Sequence, residues 1–77
     1  MESEQDLTQN ERFAVKLMEI RPEVTKEDRR AAVKITKLTH ITISRYLNGT
    51  VNDADTAASL LMIFRSRIAE REKLIEA

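Results

Sequence analysis

Seventy-seven residues, 42% of them hydrophobic, give one domain near the smallest size at which a single core suffices, and set the chain apart from disordered sequences. With no cysteine there is no disulfide framework and no thiolate ligand or nucleophile, and the lone histidine, His40, cannot build a histidine-rich metal site or a relay with cysteine. Net charge is zero but unevenly placed: residues 1–11 carry acids only, residues 12–48 carry nine bases against four acids, and residues 49–77 carry four bases against five acids.

A basic middle in a neutral chain fits a localised anionic partner, although a mixed solvated surface fits the same count. One Gly and one Pro leave little turn chemistry, so an all-α fold is expected. No apolar run approaches the roughly 18 residues of a membrane span, and the N-terminus is acidic, so neither a span nor a secretory signal is expected and the default compartment is cytoplasmic.

Residues 1–7 are polar and acidic and read as a disordered tail, followed by a single domain over 8–77. Thr8 opens the box T-Q-N-E, in which Thr8 caps and Glu11 reaches back. Phe13, Leu17 and Ile20, with Ala14 and Met18, keep helical spacing, which predicts a helix over 9–21 that Pro22 ends. Thr25-Lys-Glu-Asp28 is a second box, opening a helix over 26–36 with Ala31, Ala32 and Ile35 as its buried side. After a short break at Lys37-Leu38, Thr39 suits the cap of a third helix, 40–48, with Ile43, Tyr46 and Leu47 inward and Gly49 as its left-handed stop. Asn52 or Asp53 caps a long fourth helix, 53–75. Its stripe is Ala54, Ala57, Leu61, Phe64, Ile68 and Ile75, interrupted by Arg71. Leu60, Met62, Ile63 and Leu74 fall outside it, so either the stripe is broad or part of it faces a second subunit.

Two short helices joined by about three residues have the plan of a helix-turn-helix, whose second helix enters the major groove. Read without gaps, Ala32–Asn48 (AVKITKLTHITISRYLN) resembles the helix-turn-helix of the lac-repressor family and of small phage Cro-like repressors. The closest part is Thr42-Ile43-Ser44-Arg45-Tyr46-Leu47-Asn48-Gly49, against a family pattern of Thr, Val or Ile, Ser, Arg, any residue, Leu, Asn, Gly. Two positions depart: Lys37 stands where the family turn holds glycine, and Val33 where the second helix holds alanine. A lysine in left-handed backbone costs about 1 kcal/mol more than glycine, so a variant turn is one expectation. The family's hinge and sugar-binding domain have no counterpart here, so the resemblance implies DNA recognition without a small-molecule effector.

By that resemblance Thr39, Thr42 and Ser44 contact DNA phosphates and set the register of the third helix, and His40 and Ile41 meet base edges at its front. Hydroxyls suit phosphate oxygens, a histidine can donate to an acceptor, and an isoleucine suits a thymine methyl group. Arg45 is the residue whose fork matches both acceptors of a guanine edge. Arg29 and Arg30, at the start of the helix that crosses the backbone in this motif, and Lys37 in the turn are further phosphate contacts. The structural alternatives are a plain cap for Thr39, solvated surface for His40, Thr42 and Ser44, core packing for Ile41 and a surface ion pair for Arg45. Tyr46 is placed in the core rather than as a base-stacking platform.

The sequence therefore predicts a small four-helix domain acting as a sequence-specific double-stranded DNA-binding protein, a transcriptional repressor or regulator of a phage or other mobile element. It is expected to be a homodimer through the C-terminal helix (Leu61, Phe64, Ile68 and Ile75), with no cofactor and no metal. The alternative is a helical interaction module, antitoxin-like or an adaptor, that binds a protein through the fourth helix. No Gly-rich phosphate loop, paired carboxylates or nucleophile–base pair is visible, so no enzyme is expected.

Overall fold

A computed structural model of the chain describes residues 8–76; the tail expected over 1–7 and the final Ala77 lie outside the described residues. Short polar caps start all four α-helices. The Thr8 hydroxyl accepts the N–H of Glu11 at 3.1 Å while the Glu11 carboxylate accepts the N–H of Thr8 at 2.8 Å, and α1 (Gln9–Ile20) grows from this box. It passes into one turn of 3-10 helix, Arg21–Glu23, around Pro22. Thr25 and Asp28 repeat the reciprocal pair at 3.1 and 3.0 Å and start α2 (Lys26–Thr36). The hydroxyl of Thr39 accepts the N–H of Thr42 at 3.2 Å at the head of α3 (His40–Leu47). The Asp53 carboxylate accepts both the N–H and the hydroxyl of Thr56, at 3.1 and 2.6 Å, beneath α4 (Ala54–Glu76). Those two bonds, the hydroxyl's first, hold the Asp53 carboxyl below the ordinary aspartate range. All secondary structure among the described residues is helical, and no helix there is long and apolar enough to cross a membrane.

The long α4 packs against α1 and along α2, and α3 closes the bundle by lying on α1 and α2. Their shared core is Leu17 from α1, Ala32 from α2, Ile43, Tyr46 and Leu47 from α3, and Ala57, Leu60, Leu61 and Phe64 from α4. Phe13, Ile20 and Val24 pack around its rim. Leu60 is fully buried, so the inward stripe of α4 is broad over its first half. Each fully buried Leu, Ile or Phe contributes roughly 1.5–3 kcal/mol through removal from water.

Two sequence expectations change here. Ile35, expected on the buried side of α2, is 64% exposed; it borders an open cleft of about 400 Å³ that α4 lines with Thr56, Ser59, Met62 and Ile63. The dimer surface expected through Leu61, Phe64, Ile68 and Ile75 is not one surface: Leu61 and Phe64 are consumed by the chain's own core, Ile68 is half-buried, and only Ile75, beyond the body of the bundle, is open at 83% exposure.

The interruption at Arg71 has a cause 43 residues away in sequence. Asp28 is fully buried between α2 and α4, where Arg71 Nη1 donates to both carboxylate oxygens at 2.8 Å and Arg67 Nε donates to one at 2.7 Å. Arg71 Nη2 also donates to the carbonyl of Glu23 at 2.7 Å. Burial pushes the Asp28 carboxyl up, but the N–H of Thr25 and the two guanidinium groups outweigh it and hold it below its ordinary value. Asp28 is thus cap and anchor together, tying the second half of α4 to the start of α2.

Candidate nucleic-acid interface

The α2–turn–α3 unit is built without glycine. Lys37 takes the left-handed conformation (φ 66°, ψ 15°), and its N–H donates to the Val33 carbonyl at 2.8 Å. Thr36 holds the bend: its hydroxyl donates to the carbonyl of Ala32 at 2.7 Å and accepts the N–H of Leu38 at 3.2 Å. The turn is therefore of the ordinary left-handed kind, with lysine in the glycine position, and the variant turn allowed from sequence does not occur. At its other end α3 stops in a Schellman arrangement, in which Thr50 N–H donates to the Arg45 carbonyl at 2.9 Å and Gly49 N–H to that of Tyr46 at 3.1 Å. Gly49 has φ +100°, a left-handed backbone that calls for glycine, and a Cβ there would stand 2.9 Å from the flexible end of Met18 on α1.

With both ends fixed, α3 divides cleanly. Ile43, Tyr46 and Leu47 enter the core. His40, Ile41, Arg45 and Asn48 are exposed, with Ser44 half-exposed among them, and their one-turn spacing makes a single outward stripe. Ile41 is 66% exposed, so it does not pack against α4. Tyr46 is buried, as the spacing from Ile43 predicts.

The hydroxyls of this unit are partly committed. Thr39 is the N-cap; its oxygen takes the N–H of Thr42 and its proton goes to the Thr42 hydroxyl oxygen at 3.0 Å. The Ser44 oxygen accepts from Arg29 Nη1 at 3.0 Å, a bond that joins α2 to α3. Thr42 and Ser44 accept inside the chain, so each still has its own proton to give outward. Arg29 is half-buried with this serine as its partner and no carboxylate in reach among the described residues. Arg30 lies 4.0 Å from Glu27 with both side chains largely exposed, a contact of small energetic weight. Lys37 is exposed in the turn.

The chain matches no protein-family model, no curated protein and no solved structure. Its own chemistry therefore carries the reading of this face. Between Asp28 and Asp53 the sequence holds Arg29, Arg30, Lys34, Lys37 and Arg45 and not one carboxylate. This acid-free stretch, bounded by the two capping aspartates, runs from the first turn of α2 through the turn and all of α3, and is a sharper signal than the charge balance of residues 12–48.

Proposed function

We propose that this chain is a sequence-specific double-stranded DNA-binding protein, a small transcriptional regulator of the repressor type, which lays α3 in the major groove. The observation that carries the reading is the outward stripe of α3: an isoleucine left in water beside an arginine one turn on, on a short helix that has no carboxylate of its own. A singly exposed isoleucine is ordinary by itself, and beside Arg45 and His40 it suits a thymine methyl group. Arg45, with His40 before it, supplies donors for base acceptors. Arg29, Arg30 and Lys37 supply charge for phosphates, and Thr42 and Ser44 supply hydroxyl protons. Thr39 acts chiefly as the cap that fixes the angle of α3. The resemblance to lac-repressor and Cro-like motifs supports the same reading. In this reading the protein is a binder rather than an enzyme, needs no cofactor and acts by occupying its operator.

Selection of bound duplexes from a random pool tests the proposal. A recurrent motif of a few base pairs, bound with an affinity that falls steeply with salt, is the expected result. Recovery of unselected sequence, or binding indifferent to salt, overturns it. A helical adaptor that binds a protein through α4 is the second reading, favoured by the exposure of Leu74 and Ile75 at 75% and 83%.

A further inference from the structure

Along α4 runs a row that the chain's own packing covers only in part, with Ile63 half-buried at the edge of the core. Ile63, Arg67, Glu70 and Leu74 succeed one another at spacings of four, three and four residues, which keeps them within about 60° of the helix circumference. All four face clefts along the seam between α2 and α4: Ile63 lines the one beside Ile35 and Met62, and the other three line a larger one of about 600 Å³ beside Asp28. Leu74 is 75% exposed and Met62 71%. Glu70 is exposed and has no ion pair among the described residues, and Arg67, 42% exposed, gives only its Nε to Asp28.

The order apolar, cation, anion, apolar becomes its own complement when reversed. We infer that a second copy of this chain docks on the α2–α4 seam, with its α4 antiparallel to the first. Ile63 then packs on the partner's Leu74, Arg67 pairs with the partner's Glu70, and the two-fold axis repeats both contacts. The partner's Leu74 fills the apolar cleft at Ile35 and Met62. The chain's own Leu74 cannot do this, because it sits on the same straight helix about 16 Å beyond Ile63. A parallel pairing sets Arg67 against the partner's Arg67 and Glu70 against the partner's Glu70, so charge alone selects the antiparallel arrangement. The inference stands independently of the DNA reading, since none of these residues lies on α3.

Sedimentation or light scattering of the full chain should give twice 8.9 kDa. Glu70→Arg and Leu74→Asp should each shift the mass to that of one chain with helical circular dichroism retained. The chain has no cysteine, so Ile63→Cys/Leu74→Cys is a clean probe. The two sulfurs of one chain are too far apart to join, since disulfides need Cα atoms within about 7 Å, and oxidation should therefore link two chains. Each single cysteine variant should stay unlinked, because in the antiparallel pair position 63 meets position 74. A wild-type chain that remains monomeric up to about 1 mM, single variants that link as readily as the double one, or a dimer indifferent to both Glu70→Arg and Leu74→Asp overturns the inference.

Discussion

Lys37 and Arg45 lie eight residues apart and answer to different pressures. Lys37 occupies left-handed backbone that costs a lysine about 1 kcal/mol relative to glycine, and the strain persists because Thr36 pins the bend from both sides. Lys37→Gly is expected to raise stability by about 0.5–1 kcal/mol, visible as a higher melting temperature. If Lys37 contacts a phosphate, the same change lowers the salt slope of DNA binding by about 0.9. A variant that gains stability with an unaltered slope keeps the strain argument and removes Lys37 from the interface. Arg45, exposed on the outward stripe, is expected to cost about 1–3 kcal/mol on a selected site when changed to Ala, and far less on random duplex. Equal losses on both, measured by fluorescence anisotropy, make Arg45 a phosphate contact instead.

At the scale of helices, the joint between α2 and α4 rests on one carboxylate. In the unfolded chain Asp28 titrates near its ordinary value of about 3.9; in the fold its value is lower, because Thr25, Arg67 and Arg71 together outweigh burial. The folded state therefore holds the ionised form more tightly. Its stabilisation is complete above about pH 4 and drains away as pH falls from there through the lowered value, where the unfolded chain takes up the proton first. Asp53, also lowered by Thr56, adds in the same direction. Asp28→Asn keeps the side-chain shape and removes the charge. It is expected to cost about 2 kcal/mol at neutral pH, and the difference from the parent chain should shrink as pH is lowered in urea melts. A difference that stays constant with pH assigns the loss to the altered shape and polarity of the side chain rather than to its charge. This joint also shows what the sequence could and could not reveal. Both capping boxes, the stop at Gly49 and the inward set Ile43, Tyr46 and Leu47 were legible, since each depends on neighbours within a turn or two. The role of Arg71 was not: along the chain it only breaks an apolar stripe, and its reason is a carboxylate brought near by folding. The surface position of Ile35 depends equally on how α4 lies across from it, which leaves an open cleft there. On the α3 face, the exposure of Ile41 and Arg45 followed from the helical period, whereas the Arg29–Ser44 bond required the packing of α2 on α3.

For the whole molecule, the two proposals meet in a single measurable quantity. One copy of α3 has 8 residues and reaches only a few base pairs, too few for a site to stand out from competing DNA. A two-fold pair through α4 carries two such helices, so binding of the first half-site holds the second α3 close to its own. Linking two weak contacts in this way raises affinity by about 10²–10⁴ without adding any contact. The parent chain is therefore expected to prefer a duplex with two inverted half-sites to one with a single half-site by a factor in that range, at half-site spacings near one helical turn or its multiples. Glu70→Arg leaves α3 and its stripe untouched, so it should bind both duplexes with the single-site affinity of the parent chain and the same dependence on salt per half-site. If Glu70→Arg abolishes the preference for two half-sites but leaves single-site binding intact, the paired helices are what carry the cooperative gain. If it instead weakens single-site binding, α4 bears on the conformation of α3 within one chain, and the gain has to be sought in the bundle rather than in the pair.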